Sequence, residues 1–445
     1  RQVALDILTK VEQEQAYSNI LLNQMLIKHQ ISRADAGLVT EIVYGTIQRL
    51  NTIDYFLNPF LTKGLGKLEP WVRCLLRMSF YQMHYLERIP EHAIVNEAVN
   101  IAKDKGHQGI SGMVNGVLRN ILRQKEQFAI PDNLSLVERL SLVHSHPKWM
   151  VKKWIEQYGE TVAEQICKSN NQPPHVSIRV NKDKLDRDSM IKQLQEMNIS
   201  AYLSTLSTSG IIVENGGNMA LTSWYEKGEI SIQDESSMLV ADVVDPQPGM
   251  TVLDCCAAPG GKSMHMAEKM SNQGKVWAND VHEHKQQLIR SQAERLGLSC
   301  IETMVSDAKE LSKQFADHSF DRILLDAPCS GLGVIRRKPD LKWTKKEADI
   351  SAIAEMQLEL MNSIQPLLRP GGVLVYSTCT LQYEENQAVI EQFLKQQPSY
   401  ALDPALEQLL TKAVAGESVA TPGMIQILPH QHHSDGFFIA RLLRK

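Results

Sequence analysis

From Met238 onward, short apolar runs alternate with longer stretches of helical spacing. The runs are 251–253, 275–278, 300–305, 322–325 and 373–376; the clearest helices are 282–296 and 344–368. This alternation leaves few architectures open. Strands joined through helices lie parallel, and a parallel sheet is covered on both faces. Ligands meet such sheets at the carboxyl ends of the strands, where strand order reverses. Residues 238–445 are therefore expected to form an α/β domain with its chemistry along one edge. The 344–368 helix reads as opening on a capping box, Thr344-Lys345-Lys346-Glu347, and carries Ile350, Ile353, Leu360, Ile364 and Leu367 on one face.

The front of the chain follows a different period. Residues 1–140 read as all helix. Ser32 can cap a helix with Asp35 in its first turn, after which Val39, Ile42, Val43, Ile47 and Leu50 share a face. Pro70 can open another, burying Val72, Leu75, Leu76, Phe80 and Met83. Further helices are expected over 93–103 and 113–125. Residues 141–237 hold a helical connector (149–168), a break at Asn171-Gln172-Pro173-Pro174, and a small α+β unit. Its strands are expected near 176–180, 211–213 and 229–232, with a helix near 187–197. It lacks the paired aromatics of an RNA-stacking sheet.

At 445 residues and 43% hydrophobic, the chain can bury two or three cores. A net charge of −4 excludes a generic basic nucleic-acid binder, so RNA affinity must come from local patches. Two patches offer themselves. Arg73, Arg77, Arg88, Lys103, Arg119 and Arg123 lie in the helical front. Arg336, Arg337, Lys338, Lys342, Lys345 and Lys346 form the densest basic cluster, read as phosphate contacts. Seven cysteines without C-x-x-C spacing suggest no zinc site, no disulfide framework and a reducing compartment. His430, His432 and His433 lie in a turn before Asp435-Gly436-Phe437-Phe438; a closing hairpin is expected there, and no metal. No apolar run reaches membrane-span length and no signal peptide is visible. The chain opens on Arg1, so a few residues are expected to precede it. A cytoplasmic monomer is the expectation.

The expected edge of the sheet is rich in polar residues. After the first strand comes Cys255-Cys256-Ala257-Ala258-Pro259-Gly260-Gly261-Lys262, small residues that let a ligand approach the backbone and the next helix N-terminus. Asp280 ends the next strand, about 20 residues on, where an acid receives ribose hydroxyls in dinucleotide-type folds. Asp307 ends the third strand, within reach of an adenine amino group, and Asp326 the fourth. Two cysteines join this edge, Cys329 in Asp326-Ala327-Pro328-Cys329-Ser330-Gly331 and Cys379 in Ser377-Thr378-Cys379-Thr380. Either can serve as a nucleophile; position alone does not choose. Cys255 is expected to pack, and Cys74, Cys167 and Cys300 to be structural.

The segments Asp254 to Lys262, Asp326 to Gly331 and Ser377 to Thr380 resemble the motifs of the RNA 5-methylcytosine methyltransferases, S-adenosyl-L-methionine enzymes of the Rossmann-like class. The link Gly228-Glu229-Ile230-Ser231-Ile232-Gln233-Asp234-Glu235-Ser236-Ser237 resembles that family's entry into its catalytic domain. The helical front, through Ile89-Pro90-Glu91-His92-Ala93-Ile94-Val95-Asn96-Glu97-Ala98 and Val114-Asn115-Gly116-Val117-Leu118-Arg119-Asn120, is similar to the antitermination factor NusB. The resemblance implies three domains: a NusB-like RNA-binding bundle (1–140), a connector with an α+β unit (141–237), and a Rossmann-like methyltransferase domain (238–445). It implies S-adenosyl-L-methionine as cofactor, with Cys256, Ala257, Ala258, Pro259, Gly260, Gly261 and Lys262 around its methionine part. Asp280 would hold the ribose, Asp307 the adenine side, and Asp326 the junction of cofactor and base. It assigns Cys379 as nucleophile and Cys329 as the aid to product release. Carbon 5 of cytosine is not nucleophilic until a thiolate adds to carbon 6, which explains why two thiols beside a methyl donor belong together. The fused front implies 16S (small-subunit) ribosomal RNA as the partner. Alternatives are the same chemistry on tRNA or another rRNA site, a DNA cytosine methyltransferase, or a non-catalytic RNA-binding or antitermination scaffold.

Overall fold

The computed structural model describes residues 1–14, 16–125, 128–417 and 419–445. It divides into two compact units, Arg1–Gln172 with Ile335–Lys346, and Pro173–Val334 with Glu347–Lys445. Among the described residues no helix is long and apolar enough to cross a membrane.

The first unit is helical. The Ser32 hydroxyl accepts the Asp35 N–H at 3.1 Å, and the helix that follows, Arg33–Gln48, buries Val39, Ile42, Val43 and Ile47. Pro70 begins Pro70–Tyr85, the most deeply buried helix of this unit, with Val72, Leu75, Leu76, Phe80 and Met83 inside. Glu91–Lys105 and Gln108–Arg123 cover the other expected helices. The connector is two helices, Lys148–Tyr158 and Glu160–Ser169, parted at Gly159, whose φ of +81° suits glycine.

Several basic residues read as RNA-facing have structural partners instead. Arg77 is buried and bridges Glu12 (2.8 Å) and Asp54 (2.7 Å), and Arg73 pairs with Glu12 at 2.8 Å. Desolvated guanidinium groups need such partners. Arg88, Lys103, Arg119 and Arg123 remain exposed. Two of the six residues in the cluster after the Pro-Cys loop are corrected in the same way, while Lys338 and Lys346 are exposed. Arg336 is buried, and Lys342 is 0% exposed, its ammonium nitrogen donating to Gln48 O (3.2 Å), Ser145 O (3.0 Å) and Asn171 Oδ1 (2.8 Å). Trp343 beside it donates its indole N–H to Ile47 O at 2.8 Å. Thr344 does not open the long helix. It ends a separate turn, Leu341–Thr344, its hydroxyl donating to Asp340 O, and the helix runs Glu347–Ile364.

The second unit contains two sheets. The smaller is antiparallel, built from β1 (Val176–Val180), β2 (Ser200–Leu203), β3 (Gly210–Glu214) and β4 (Ile230–Ile232) in the order β2-β3-β1-β4, with the helix Arg187–Glu196. The larger has nine strands: β5 (Thr251–Asp254), β6 (Lys275–Asp280), β7 (Ile301–Val305), β8 (Phe320–Asp326), β9 (Leu368–Thr378), β10 (Tyr400–Leu402), β11 (Val419–Thr421), β12 (Met424–Ile427) and β13 (Phe437–Arg444). Their order is β11-β12-β13-β9-β8-β5-β6-β7, with β10 beside β13. Strands β5 to β9 pair parallel; β13 closes on β9 antiparallel, with the histidine turn between β12 and β13.

Side chains alternate between two cores, as strand geometry requires. Val252, Leu324, Val373 and Val375 belong to one core, with residues of Glu235–Val244, Gly261–Lys269 and Glu283–Leu296. Leu253, Ile323, Leu325, Leu374 and Tyr376 belong to the other, with residues of Glu347–Ile364 and Gln387–Gln396. The chain runs from β5 outward through β6 and β7, then returns to place β8 on the opposite side of β5. The switch point therefore lies between β5 and β8.

Candidate active site

Strand ends at the switch point bring the sequence-derived residues together. Asp254 ends β5 almost wholly buried, and its Oδ2 accepts the Ser263 hydroxyl at 2.6 Å, while its buried Oδ1 has no hydrogen-bond partner among the described residues. Burial, reinforced by the charge of Asp326, pushes its carboxyl up to about 7 against the pull of Ser263. The turn Cys256-Ala257-Ala258-Pro259-Gly260-Gly261 follows, with Gly260 at φ +105°, and Lys262 stands in the first turn of the next helix. Asp280 ends β6, where Oδ2 accepts Ala258 N at 3.3 Å and Oδ1 accepts His282 N at 3.0 Å. Asp307, exposed, caps a short 3-10 helix by accepting Lys309 N at 3.0 Å.

The Cys256 thiol reports how closely these carboxylates converge. Burial pushes it up, and then the charges of Asp254, Asp326, Asp280 and Asp307 do so in turn. Four strand ends thus direct negative charge at one half-buried position. A ligand with a cationic sulfonium and ribose hydroxyls fits this set: carboxylates accept hydrogen bonds, and the bonds from Ala258 N and His282 N leave Asp280 acceptor capacity to spare.

Asp326 ends β8 opposite Ser377 of β9. Its Oδ2 takes the Lys262 ammonium at 2.8 Å and its Oδ1 the Ser377 hydroxyl at 2.7 Å. Burial alone would lower the lysine, but Asp326 overrides it and Lys262 is raised; a charge on Cys379 adds to this. Just beyond, the Cys329 and Cys379 sulfurs lie 3.4 Å apart, both half-buried. The thiol of Cys329 is raised well above its ordinary value by the bond to Cys379, by burial, and by the charges of Cys379 and Glu385. The remaining cysteines Cys74, Cys167, Cys255 and Cys300 are buried, and burial pushes all four thiols up.

The two cysteine loops are laced by contacts that motif reading missed. Glu385, fully buried, accepts Ser330 N at 2.7 Å, Ser330 Oγ at 2.5 Å and Thr380 Oγ1 at 3.3 Å. Asn386 takes the Thr378 hydroxyl at 2.5 Å and gives a bond to Thr380 O at 3.1 Å. Gly333 N donates to Cys379 O at 2.9 Å, and Gly436 N to Gly333 O at 2.8 Å. A Cβ on Gly333 would lie 2.0 Å from Gly436 O, so the Asp435-Gly436-Phe437-Phe438 turn and the Pro-Cys loop meet backbone to backbone. Closeness in sequence to Cys379 alone did not single out Glu385 or Asn386 from their polar neighbours.

Comparison with known proteins agrees with this architecture. Residues 241–443 match the model of the 16S rRNA methyltransferase RsmB/F family, residues 1–123 the NusB family, and residues 146–220 the RsmF/B-like ferredoxin-like domain. The probable ribosomal RNA small subunit methyltransferase B of Bacillus subtilis (strain 168) is 47% identical over 447 residues, covering 100% of this chain and 98% of the relative. The protein of the same description from Synechocystis sp. is 36% identical, covering 99% and 98%. Among solved structures, the crystal structure of PH0851 superposes with a TM-score of 0.84 at 27% identity, covering 99% of this chain and 98% of that one. A NusB-type front, a ferredoxin-like middle and a methyltransferase sheet with full-length relatives at this identity place the chain in the ribosomal RNA small subunit methyltransferase B family, as an S-adenosyl-L-methionine-dependent rRNA methyltransferase.

Proposed function

We propose that the chain methylates carbon 5 of a cytosine in 16S ribosomal RNA through a transient bond between Cys379 and carbon 6. The observation that carries this reading is the pair of sulfurs 3.4 Å apart at the ends of adjacent strands, beside Lys262 and Asp326. One thiol beside a cation can ionise while the other keeps its proton. Lys262 favours the anion on Cys379, and Cys329 holds its proton.

S-adenosyl-L-methionine, when bound, supplies an electrophilic methyl group on sulfur. Cys256, Ala257, Ala258, Pro259, Gly260, Gly261 and Lys262 would line its methionine part, Asp280 its ribose and Asp307 its adenine side. Cys379 adds to carbon 6, and the electrons of the carbon 5–carbon 6 double bond make carbon 5 a nucleophile. Once carbon 5 carries the methyl group its proton passes to water, the electrons of that carbon–hydrogen bond re-form the double bond, and the carbon 6–sulfur bond breaks with its pair leaving on sulfur. Cys329 donates a proton to the departing sulfur. Asp326, accepting only, faces the cytosine amino group and thereby disfavours uracil. The base must leave its stack to expose carbon 6. Acting on ribosomal RNA, the protein would work in the cytoplasm, as a monomer.

The test uses RNA containing 5-fluorocytosine with S-adenosyl-L-methionine. Fluorine cannot depart as a proton does, so the protein–RNA adduct persists and is seen by denaturing electrophoresis. Cys379→Ala is expected to abolish the adduct. An adduct that survives in Cys379→Ala and disappears in Cys329→Ala would reverse the two roles.

A further inference from the structure

The two thiols face different charged neighbours. On the Cys329 side stand Glu385 and Tyr376; on the Cys379 side stands Lys262 with its partner Asp326. Glu385 sits where both cysteine loops can reach it. Ser330, next to Cys329, gives it a backbone and a hydroxyl bond, and Thr380, next to Cys379, gives it a hydroxyl bond. With the Ser330 proton on Glu385, Thr380 shares its one proton between Ser330 Oγ (2.8 Å) and the carboxylate, and Gln357 links Pro328 O (2.9 Å) to the same carboxylate (3.5 Å). Its own backbone is held from below, the Tyr376 hydroxyl donating to Glu385 O at 2.6 Å. These side-chain donors converge on one buried carboxylate, the arrangement in which a carboxylate acts purely as an acceptor.

We propose that Glu385 is the positioning residue that makes the two thiols unequal: it ties the Pro-Cys and Thr-Cys loops into one unit and keeps the proton of the pair on Cys329. This rests on the cysteine-adduct reading given above. Glu385 touches neither thiol through a hydrogen bond; it acts through Ser330, Thr380 and its charge. Burial pushes its own carboxyl up, and the Ser330 and Thr380 bonds pull against that. Without Glu385 the loops lose their common anchor, and Cys329 loses the charge that opposes its ionisation.

The experiment is alkylation of the full-length protein by iodoacetamide across a pH series, with Cys329 and Cys379 quantified separately by mass spectrometry. It needs no RNA, so it is independent of the adduct test. In the native protein Cys379 is expected to react at lower pH than Cys329. In Glu385→Gln the Cys329 profile should move to lower pH, with about ten-fold more alkylation at a fixed pH on the steep part of the curve, as expected for removal of a nearby buried charge. A folded Glu385→Gln variant with an unchanged Cys329 profile would overturn the proposal. Should that variant not fold, Ser330→Ala carries the test by cutting one of the two bonds that hold the Cys329 loop. Turnover on unmodified RNA should fall about ten-fold, and covalent protein–RNA adduct should accumulate because release is slowed, at unchanged S-adenosyl-L-methionine affinity. Normal turnover without accumulated adduct would count against the anchor. Loss of all adduct with Cys329 and Cys379 still unequal in alkylation would point to failure of the adduct reading, not of this one.

Discussion

Two enclosed lysines, one in each unit, show how the same side chain is shifted in opposite directions. Lys342 in the helical unit is fully buried and surrounded by two backbone carbonyls and an amide oxygen. Its acceptors are neutral, so burial wins and its affinity for a proton falls well below the ordinary lysine value, with Arg49 adding to the effect. Lys262 at the sheet edge meets a carboxylate at 2.8 Å, and there the ion pair wins. The first lysine is a structural donor holding Ile335–Lys346 within its own unit. The second is a fixed positive charge beside a thiol. Burial fixes the cost of charge, and the partner decides whether that cost is met.

The sharpest way to break this contrast is Lys262→Met. Turnover should fall about 10²- to 10³-fold, the scale of removing one oriented charge from a reacting centre, and alkylation of Cys379 should shift to higher pH. Lys342→Met should leave S-adenosyl-L-methionine affinity unchanged but strand three buried acceptors. It is expected to cost the helical unit about 2–4 kcal/mol, read from its thermal transition. A pH series refines the point. Folded, Lys342 releases its proton early; unfolded, it holds it to about pH 10.4. The unfolded chain binds more protons in that interval, so this lysine makes stability rise with pH there. Cys74, pushed up to about 12 by burial and Glu12, acts the other way above about pH 8.5. Cys74 is common to native protein and Lys342→Met and cancels between them, so their difference in melting should grow as pH rises toward about 10.4. The smallest effect concerns Asp254. Held near 7 when folded, it contributes stability at low pH that is lost as pH rises through about 4 to about 7. Asp254→Asn should flatten that part of the sheet unit's pH–stability curve by about 1–3 kcal/mol.

Sequence patterning carried the elements whose burial is periodic. Val39, Ile42, Val43 and Ile47 were legible because one helical face is buried, and β5, β6, β8 and β9 because most of their residues are buried. β2 was not, since its four residues are exposed or half-exposed and show no apolar signature. The capping box at Thr344 misled for a related reason. It is a local pattern, whereas Leu341 is buried and Trp343 packs against the helical core, and tertiary packing overrode the local preference. The basic cluster misled because a run of charges does not reveal which member is enclosed. At the site, Asp280 and Asp326 could be found from their places at strand ends; Asp307, expected to end the third strand, lies two residues beyond β7 as the cap of the 3-10 helix. Glu385 could not: Tyr383-Glu384-Glu385-Asn386 reads as an ordinary polar loop, and only the fold turns its third residue inward.

The backbone passes between the two units three times, after Gln172, after Val334 and after Lys346. Cleaving the chain once, after Gln172, would not yield a self-sufficient front. That fragment would lack twelve residues of its own fold, Ile335–Lys346, which the other fragment carries. The halves should behave as complementary pieces that recover the helical unit only when mixed.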